Sequence, residues 1–236
     1  MGHLSCTLGL RPPRRIGSQV SNNSNLESLV AAAGGAQSAA ATERLGREAN
    51  PHQVLSQLSK SKNVDVRGWV VVAAREVLGA NATSLLIAML DDRDPDIRVM
   101  AMSSIEDAYP TALAPFVNRL RRRLRSSNPY EVLATSWTLA RLRDRDSVPL
   151  VQEYRDGFDD WQWQHKAADV VLQYMTDPDE VIRGIRDHDH ERMTWLVYAA
   201  ALIGTPAAIE ALHECSTRSL DPACQGKCVY SLEHYV

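Results

Sequence analysis

The chain has 236 residues, of which 44% are hydrophobic and 23% charged, with a formal net charge of −3 and a pI near 6.2. This composition is typical of a folded protein that can bury a core. The small net charge excludes a global field that would attract nucleic acid or anionic lipid, so any such affinity has to be local.

The sequence also bears on location. No uncharged apolar run reaches the roughly 18 residues that a membrane span requires, so we expect no membrane insertion. The cysteines do not form the dense pattern of a disulfide framework, which fits a reducing compartment. We therefore expect a cytoplasmic protein. The cysteines are Cys6, Cys215, Cys224 and Cys228.

Residues 1–25 are polar, contain Pro12-Pro13 and a Ser/Asn-rich run at 21–25, and show no hydrophobic periodicity. Segments of this composition cannot bury enough apolar surface to offset their conformational entropy. We predict a disordered leader over 1–25 and a folded domain over 26–236.

Helix-start signals recur along that domain. Asn, Asp or Thr at an N-cap followed by Pro at the first helical position is a strong start marker. Six such pairs occur: Asn50-Pro51, Asp94-Pro95, Asn128-Pro129, Asp177-Pro178, Thr205-Pro206 and Asp221-Pro222. Weaker caps at Asn63, Asn81, Thr111, Asp146, Asp159 and Asp189 fill the gaps.

The starts form two interleaved series, each with a period of about 31 residues, and two helices in such a period are typical of an α-solenoid. We name the series at 63, 94, 128, 159, 189 and 221 the A helices, and the series at 50, 81, 111, 146, 177 and 205 the B helices. About ten residues into each A helix, small or aliphatic residues recur, as expected where helices pack closely. Asp169 is the exception in this column.

Asp65-Val66-Arg67 with Ala73-Ala74, and the run from Asp94 to Arg98 with Ala101 and Ile105, resemble HEAT repeats of the short bacterial type. These include repeats named after phycobilisome lyase subunits, and the resemblance covers roughly residues 43–215. It implies an all-α, right-handed α-solenoid of about six HEAT-like helical hairpins and a terminal helix. It implies no single activity, because such repeats serve as scaffolds, enzyme subunits and inhibitors alike.

One B helix departs from the repeat by carrying a dense basic cluster. Its like-charge pairs cost roughly 1–2 kcal/mol together on a helix, so neighbouring charges should relieve the repulsion. Aspartates of the adjacent repeats could do so internally, or an acidic ligand could do so externally. The cluster consists of Arg119, Arg121, Arg122, Arg123 and Arg125.

In HEAT-like solenoids the B helices line the concave face, and arginine forks suit carboxylates and phosphates equally well. An acidic protein surface is favoured over nucleic acid, because Glu210 and Glu214 interrupt a continuous phosphate track. The predicted partner-binding arginines are Arg119, Arg122, Arg123, Arg155, Arg183 and Arg186.

Tryptophans supply the second part of the predicted site. Trp69 and Trp195 share a repeat position and are interpreted as packing residues. Trp161 and Trp163 stand two residues apart, so they point to different faces of a helix and one should be exposed. An exposed Trp is a typical binding anchor, and we include both residues in the predicted site.

Metal binding and catalysis have less support. His213, Cys215, Cys224 and Cys228 are zinc-ligand types, but their spacing matches no common zinc motif. HEAT-like DNA glycosylases use Trp residues on the concave face together with an Asp. In this chain only Asp169, six residues after Trp163, resembles that pattern. We predict no catalytic residue, no metal site and no cofactor.

These observations favour a non-enzymatic scaffold, adaptor or inhibitor that binds an acidic protein partner through its concave face. The alternatives are a subunit of a bilin-lyase-like enzyme and a HEAT-like DNA-binding or glycosylase protein. The last helix, from residue 221, has no following B helix. It could cap the array or expose an apolar face for self-association.

Overall fold

The computed structural model describes residues 26–31, 35–218 and 222–235. These residues form helices joined by short turns, with no strand among them. The fold is therefore all-α, as predicted. The predicted leader, residues 1–25, lies outside the described residues. The chain divides into two compact units, one ending at Leu78 and one comprising Gly79–Val236, and each is described by itself.

The first unit contains a helical segment at 26–31 (α1) and three further helices: α2 (Gly35–Gly46), α3 (Pro51–Leu58) and α4 (Val64–Leu78). Helices α2, α3 and α4 pack against one another. Leu45, Leu55 and Val70 lie fully buried in their core. Trp69, a predicted packing residue, is buried and donates its indole N–H to Thr42 Oγ1 at 3.1 Å.

The second unit contains the helices from α5 to α14. They are α5 (Thr83–Met89), α6 (Pro95–Ala108), α7 (Val117–Arg123), α8 (Pro129–Arg141), α9 (Val148–Asp156), α10 (Trp163–Thr176), α11 (Pro178–Arg186), α12 (Met193–Ile203), α13 (Pro206–Arg218) and α14 (Pro222–Tyr235).

All six Xaa-Pro signals predicted a helix start correctly, because each proline is the first residue of a helix. Proline suits that position, since its missing N–H would have no intrahelical partner there. Three of the caps act through their side chains in the second unit, one of them Thr205, whose Oγ1 accepts from the Ala208 amide at 3.4 Å. Asp94 accepts from the Asp96 amide, and Asn128 accepts from two amides, at 2.9 and 3.1 Å.

Most of the weaker caps placed the helix start too early. Short 3-10 segments occupy Gly79–Ala82, Pro110–Phe116 and Arg145–Ser147, and the α-helices begin after them. Pro115 gives one physical reason, because it lacks the N–H that an α-helical ladder would need there. Helix α10 likewise begins at Trp163 rather than just after Asp159.

The A helices of the second unit pack in series, with α6 on α8, α8 on α10, α10 on α12 and α12 on α14. Each B helix packs on the A helix that follows it in the chain, and α11 also packs on α13. The predicted apolar column lies in this layer, where Ile105, Leu139 and Val170 are fully buried. The arrangement is repeat-like and compatible with a helical solenoid.

A buried ion pair joins the first two A helices of this unit. Arg98 of α6 donates two hydrogen bonds of 2.6 Å to the Glu131 carboxylate of α8. Glu131 is only 1% exposed. Burial opposes its charged form, but hydrogen bonds from Arg98 and Ser126 outweigh that effect and hold the pKa of Glu131 below its usual value.

The same arginine also seals the turn before its own helix. Arg98 donates to the Asp92 carbonyl at 2.7 Å, six residues earlier. At the equivalent repeat position in the first unit, Arg67 donates to the Ser61 carbonyl at 3.0 Å, also six residues earlier. The Asp-Xaa-Arg motif therefore has a structural role in both units.

The stretch Val64–Met89 would be long and apolar enough to cross a membrane by length and composition, with a mean hydropathy of 1.5. Its backbone departs from α-helical geometry at Gly79, where φ is +51°. The core helices of folded domains meet the same criteria, so the stretch is only weak evidence for a membrane span. The cellular location stays a prediction.

Replacing Glu131 with Gln should destabilise the protein by about 3 kcal/mol, because the substitution leaves Arg98 without its buried counter-charge. Glu180→Gln is the matched control, since it breaks an Arg–Glu pair whose side chains are about half exposed. That change should cost far less stability, because solvent screens the exposed pair. Urea unfolding followed by circular dichroism measures both, and equal losses would contradict the assigned role of the buried pair.

The stabilisation that Glu131 supplies should also depend on pH. Because the folded-state pKa of Glu131 lies below its unfolded value of about 4.3, the wild type has the full stabilisation above that pH. It loses this stabilisation as the pH falls through the folded-state pKa. The free-energy difference between the wild type and Glu131→Gln should therefore narrow in acid.

Candidate partner-binding surface

Aromatic side chains form the most exposed apolar surface among the described residues. Trp161 lies in the turn before α10 and is 70% exposed, and Tyr130 of α8 is 64% exposed. Trp163, the first residue of α10, stacks on Tyr130 with ring centroids 5.2 Å apart and planes at 24°. We call Tyr130, Trp161 and Trp163 the aromatic surface.

Local sequence explains this placement. The Asn128 cap and Pro129 fix the start of α8, so Tyr130 stands in the first turn with its ring directed outward. Because α8 and α10 are neighbours in the A series, their first turns lie side by side and the Tyr130 and Trp163 rings can stack. The sequence predicted that one of the two tryptophans is exposed, and that residue is Trp161. Tyr130 was missed.

The basic cluster of α7 is largely compensated within the protein. Arg119 pairs with Asp91 at 2.7 Å, and Arg123 pairs with the same carboxylate at 3.3 Å. Arg121 pairs with Asp144 and with Asp146 of the following repeat. Aspartates of adjacent repeats thus relieve most of the repulsion, which is the internal alternative that the sequence left open.

The more distant predicted arginines are also paired. Arg155 contacts Asp156 at 2.8 Å and Asp169 at 3.4 Å. Arg183 pairs with Glu180 at 2.5 Å, and Arg186 lies 3.3 Å from Glu214 and 3.5 Å from Glu210. Exposed pairs of this kind contribute little to stability, so a ligand could compete for these arginines at small cost.

Arg122 and Arg125 differ from the rest of the cluster. Both are exposed, and no carboxylate within the described part of the chain pairs with either. Arg122 lies in the last turn of α7, and Arg125 lies in the turn that leads to α8 and Tyr130. Arg122 is therefore the arginine of the predicted site that is most available to a partner. Arg125, which was not in the predicted site, is equally available.

Acidic residues lie next to Trp161 in the chain. Asp159 and Asp160 precede Trp161, are exposed, and form no ion pair with other described residues. Two exposed arginines therefore precede Tyr130 in the chain, and two exposed aspartates directly precede Trp161. The residues around the aromatic surface therefore carry charges of both signs, which the sequence analysis did not predict.

Asp169, the misfit of the apolar column, is held by long-range contacts. It accepts hydrogen bonds from Arg192 at 2.7 Å, Gln173 at 3.1 Å and Arg155 at 3.4 Å. The carboxylate is thus part of a charge network between α9, α10 and the turn before α12. Two of its partners are 14 and 23 residues away in the chain, which is why sequence spacing did not reveal them.

Two of the cysteines that the sequence analysis weighed as zinc ligands are bonded to each other. Cys215 of α13 and Cys228 of α14 form a disulfide, with Cα atoms 6.3 Å apart. The two helices pack closely against each other, which brings cysteines 13 residues apart in the chain into contact. Among the described residues, no group of three or more His, Cys, Asp or Glu side chains is placed to hold a metal.

No protein family and no curated protein matches this chain. A crystal structure of an engineered protein from the Northeast Structural Genomics Consortium is similar over 90% of this chain and 95% of that chain. The two are 16% identical, with a TM-score of 0.34. At that TM-score the similarity carries no conclusion about fold or function.

Trp161→Phe should remove the largest single part of the tryptophan emission that a soluble quencher can reach, because Trp161 is 70% exposed, whereas Trp69 and Trp137 are 6% exposed and Trp163 and Trp195 are partly buried. Stern–Volmer titration with acrylamide measures this, and Trp69→Phe serves as the control. A quencher-accessible fraction that falls equally in both variants would contradict the exposed position of Trp161.

Proposed function

We propose that the chain is a non-enzymatic recognition protein that binds a protein partner through the aromatic surface and the exposed arginines beside it. The observation that carries this proposal is the cluster of Trp161, Tyr130 and Trp163, two of them more than 60% exposed. Exposed aromatic side chains on rigid helices are the usual centres of protein interfaces, since they bury large areas at little entropic cost.

Charge determines the orientation of the partner. Arg122 and Arg125 would receive carboxylates near Tyr130, where arginine forks can form bidentate pairs. Asp159 and Asp160 would repel carboxylates beside Trp161 and favour basic or neutral groups there. An acidic partner is therefore proposed only for the α7 side of the contact.

A protein partner fits better than nucleic acid. The rings of Tyr130 and Trp163 could stack on bases, but a phosphate backbone crossing the surface would meet Asp159 and Asp160. Asp169 is paired with two arginines, which gives no support to a glycosylase-like role. A bilin-lyase-like subunit stays the other alternative, and no contact in the described residues favours it specifically.

The architecture proposed with this function is a right-handed HEAT-like solenoid. The serial packing of the A helices and the matching turn contacts of Arg67 and Arg98 support it. The concave position of the B helices stays a prediction, as does self-association through α14, which exposes Val229 and Tyr230. The aromatic surface lies where B helices end and A helices begin, so it does not depend on which face is concave.

The test uses the full chain, tagged and incubated with lysate of its native host. We expect Trp161→Ala, and separately Arg122→Glu with Arg125→Glu, to reduce recovery of the specific partner about 30-fold, as for hot-spot residues worth about 2 kcal/mol. Quantitative mass spectrometry of the eluates measures the ratio to wild type.

Two controls match the substitutions in chemistry. Tyr230→Ala removes an exposed aromatic ring from α14, and Arg145→Glu reverses an exposed arginine in the 3-10 segment before α9. Both should leave recovery unchanged. Unchanged recovery with the Trp161 and Arg122/Arg125 variants would refute the proposed surface, and salt-dependent binding of DNA by the purified wild type would favour the nucleic-acid alternative.

A further inference from the structure

A thiol cluster lies where α13, α14 and the turn before α12 meet. It contains the disulfide between Cys215 and Cys228, together with Cys224 and His190. The three cysteines are each no more than 1% exposed. The proposed binding function does not use this cluster, and its assembly from two helices and a turn cannot be read from the sequence.

Contacts bring Cys224 close to the disulfide. The Cys215 sulfur lies 3.9 Å from the carbonyl oxygen of Cys224. Cys224 and Cys228 are four residues apart on α14, so they share one face of that helix. Cys215 therefore faces both cysteines of α14, although it is bonded to only one of them.

The imidazole of His190 lies against the third thiol, with Nδ1 3.3 Å from Cys224 Sγ. An adjacent imidazole promotes thiolate formation, either by accepting the thiol proton or by stabilising the thiolate as a cation. A thiolate is the species that attacks a disulfide sulfur in exchange reactions. Cys224 thus has both an activating neighbour and a disulfide within its own helix pair.

We infer that Cys215, Cys224, Cys228 and His190 form an intramolecular thiol–disulfide exchange site. The Cys224 thiolate attacks Cys215 Sγ, the Cys215–Cys228 bond breaks, and the Cys215–Cys224 bond forms. The electron pair leaves on the Cys228 sulfur, which takes up a proton in place of the one that Cys224 lost. One disulfide and one thiol are present before and after, so the step needs no oxidant or reductant.

Exchange would change how α14 is attached to α13. Moving the bond from Cys228 to Cys224 shifts the attachment point by four residues, which is about 6 Å along a helix. Helix α14 also forms one wall of a cavity of about 530 Å³ with Trp195 and Tyr198 of α12. The two disulfide forms would therefore differ in the shape of this cavity.

Peptide mapping can distinguish the two forms, because Arg218 and Lys227 separate the three cysteines. Trypsin places Cys215 in the peptide 193–218, Cys224 in 219–227 and Cys228 in 228–236. The full-length protein is incubated at neutral pH in a glutathione redox buffer, quenched with acid, alkylated with N-ethylmaleimide and digested without reduction. Mass spectrometry then identifies which peptides are linked.

We expect both the 215–228 and the 215–224 linkages, in a ratio that relaxes with time after the reduced protein is reoxidised and whose final value does not depend on the glutathione ratio, because the exchange conserves the number of disulfides. His190→Ala should slow the interconversion about tenfold by removing the base beside the attacking thiol. His213→Ala, an exposed histidine on α13, is the matched control and should leave the rate unchanged. Because the wild-type map alone shows whether both linkages exist, the test does not depend on a variant that folds poorly.

Three results would overturn the inference. One is a single 215–228 linkage under all buffer ratios with Cys224 alkylated throughout. Another is equal rates in the His190 and His213 variants. The third is a protein in which all three cysteines are reduced and one zinc ion is retained in native mass spectrometry.

Discussion

The buried pair between Arg98 and Glu131 is the contact on which the second unit depends most. It joins α6 to α8 through two charge-assisted hydrogen bonds, and Arg98 also closes the turn before α6. A charge buried to this extent is tolerated only when its partner is in place. The pair therefore fixes the relative positions of two A helices more strictly than apolar packing alone would do.

The same turn of α8 connects this pair to the candidate site. Glu131 points into the protein and Tyr130, the preceding residue, points out of it. Fixing Glu131 against α6 therefore fixes the direction of Tyr130, and Trp163 stacks on that ring. A binding surface on a rigid helix start loses less entropy on association than one on a flexible loop.

Sequence reasoning predicted the elements that local chemistry determines. The Asn128-Pro129 and Asp177-Pro178 starts were correct because capping involves only neighbouring residues. The burial of Ile105 and Val170 followed from periodicity. Early boundaries such as the one at Thr111 were wrong, since Pro115 delays the α-helix until Val117.

Contacts between repeats could not be predicted in the same way. The pairing of Arg119 with Asp91 joins residues 28 positions apart in the chain, and it depends on how α7 lies against the preceding turn. The sequence identified aspartates of the adjacent repeats as candidate partners of the cluster, but it could not show which arginine each of them contacts. Trp161 was a candidate from spacing alone, but its exposure of 70% depends on its lying before α10 rather than in it. The link between Cys215 and Cys228 likewise depends on the packing of α13 on α14.

Compensation of the α7 cluster changes which residues are available for function. Arg119 and Arg123 hold neighbouring repeats together, whereas Arg122 and Arg125 remain exposed beside Tyr130. Within the basic cluster, Arg119 and Arg123 therefore have a structural role, and Arg122 and Arg125 are proposed to bind the partner. The aromatic surface, rather than the number of arginines, distinguishes this edge of the protein.

Hydrogen–deuterium exchange on the complex purified from the native host tests the central claim most directly. Amide exchange of the bound protein is compared with that of the protein alone. The account predicts slower exchange over residues 125–131 and 157–163, with little change over 142–147 and 203–205 at the opposite ends of the helices. Protection confined to that opposite edge, with none near Tyr130 and Trp161, would contradict it.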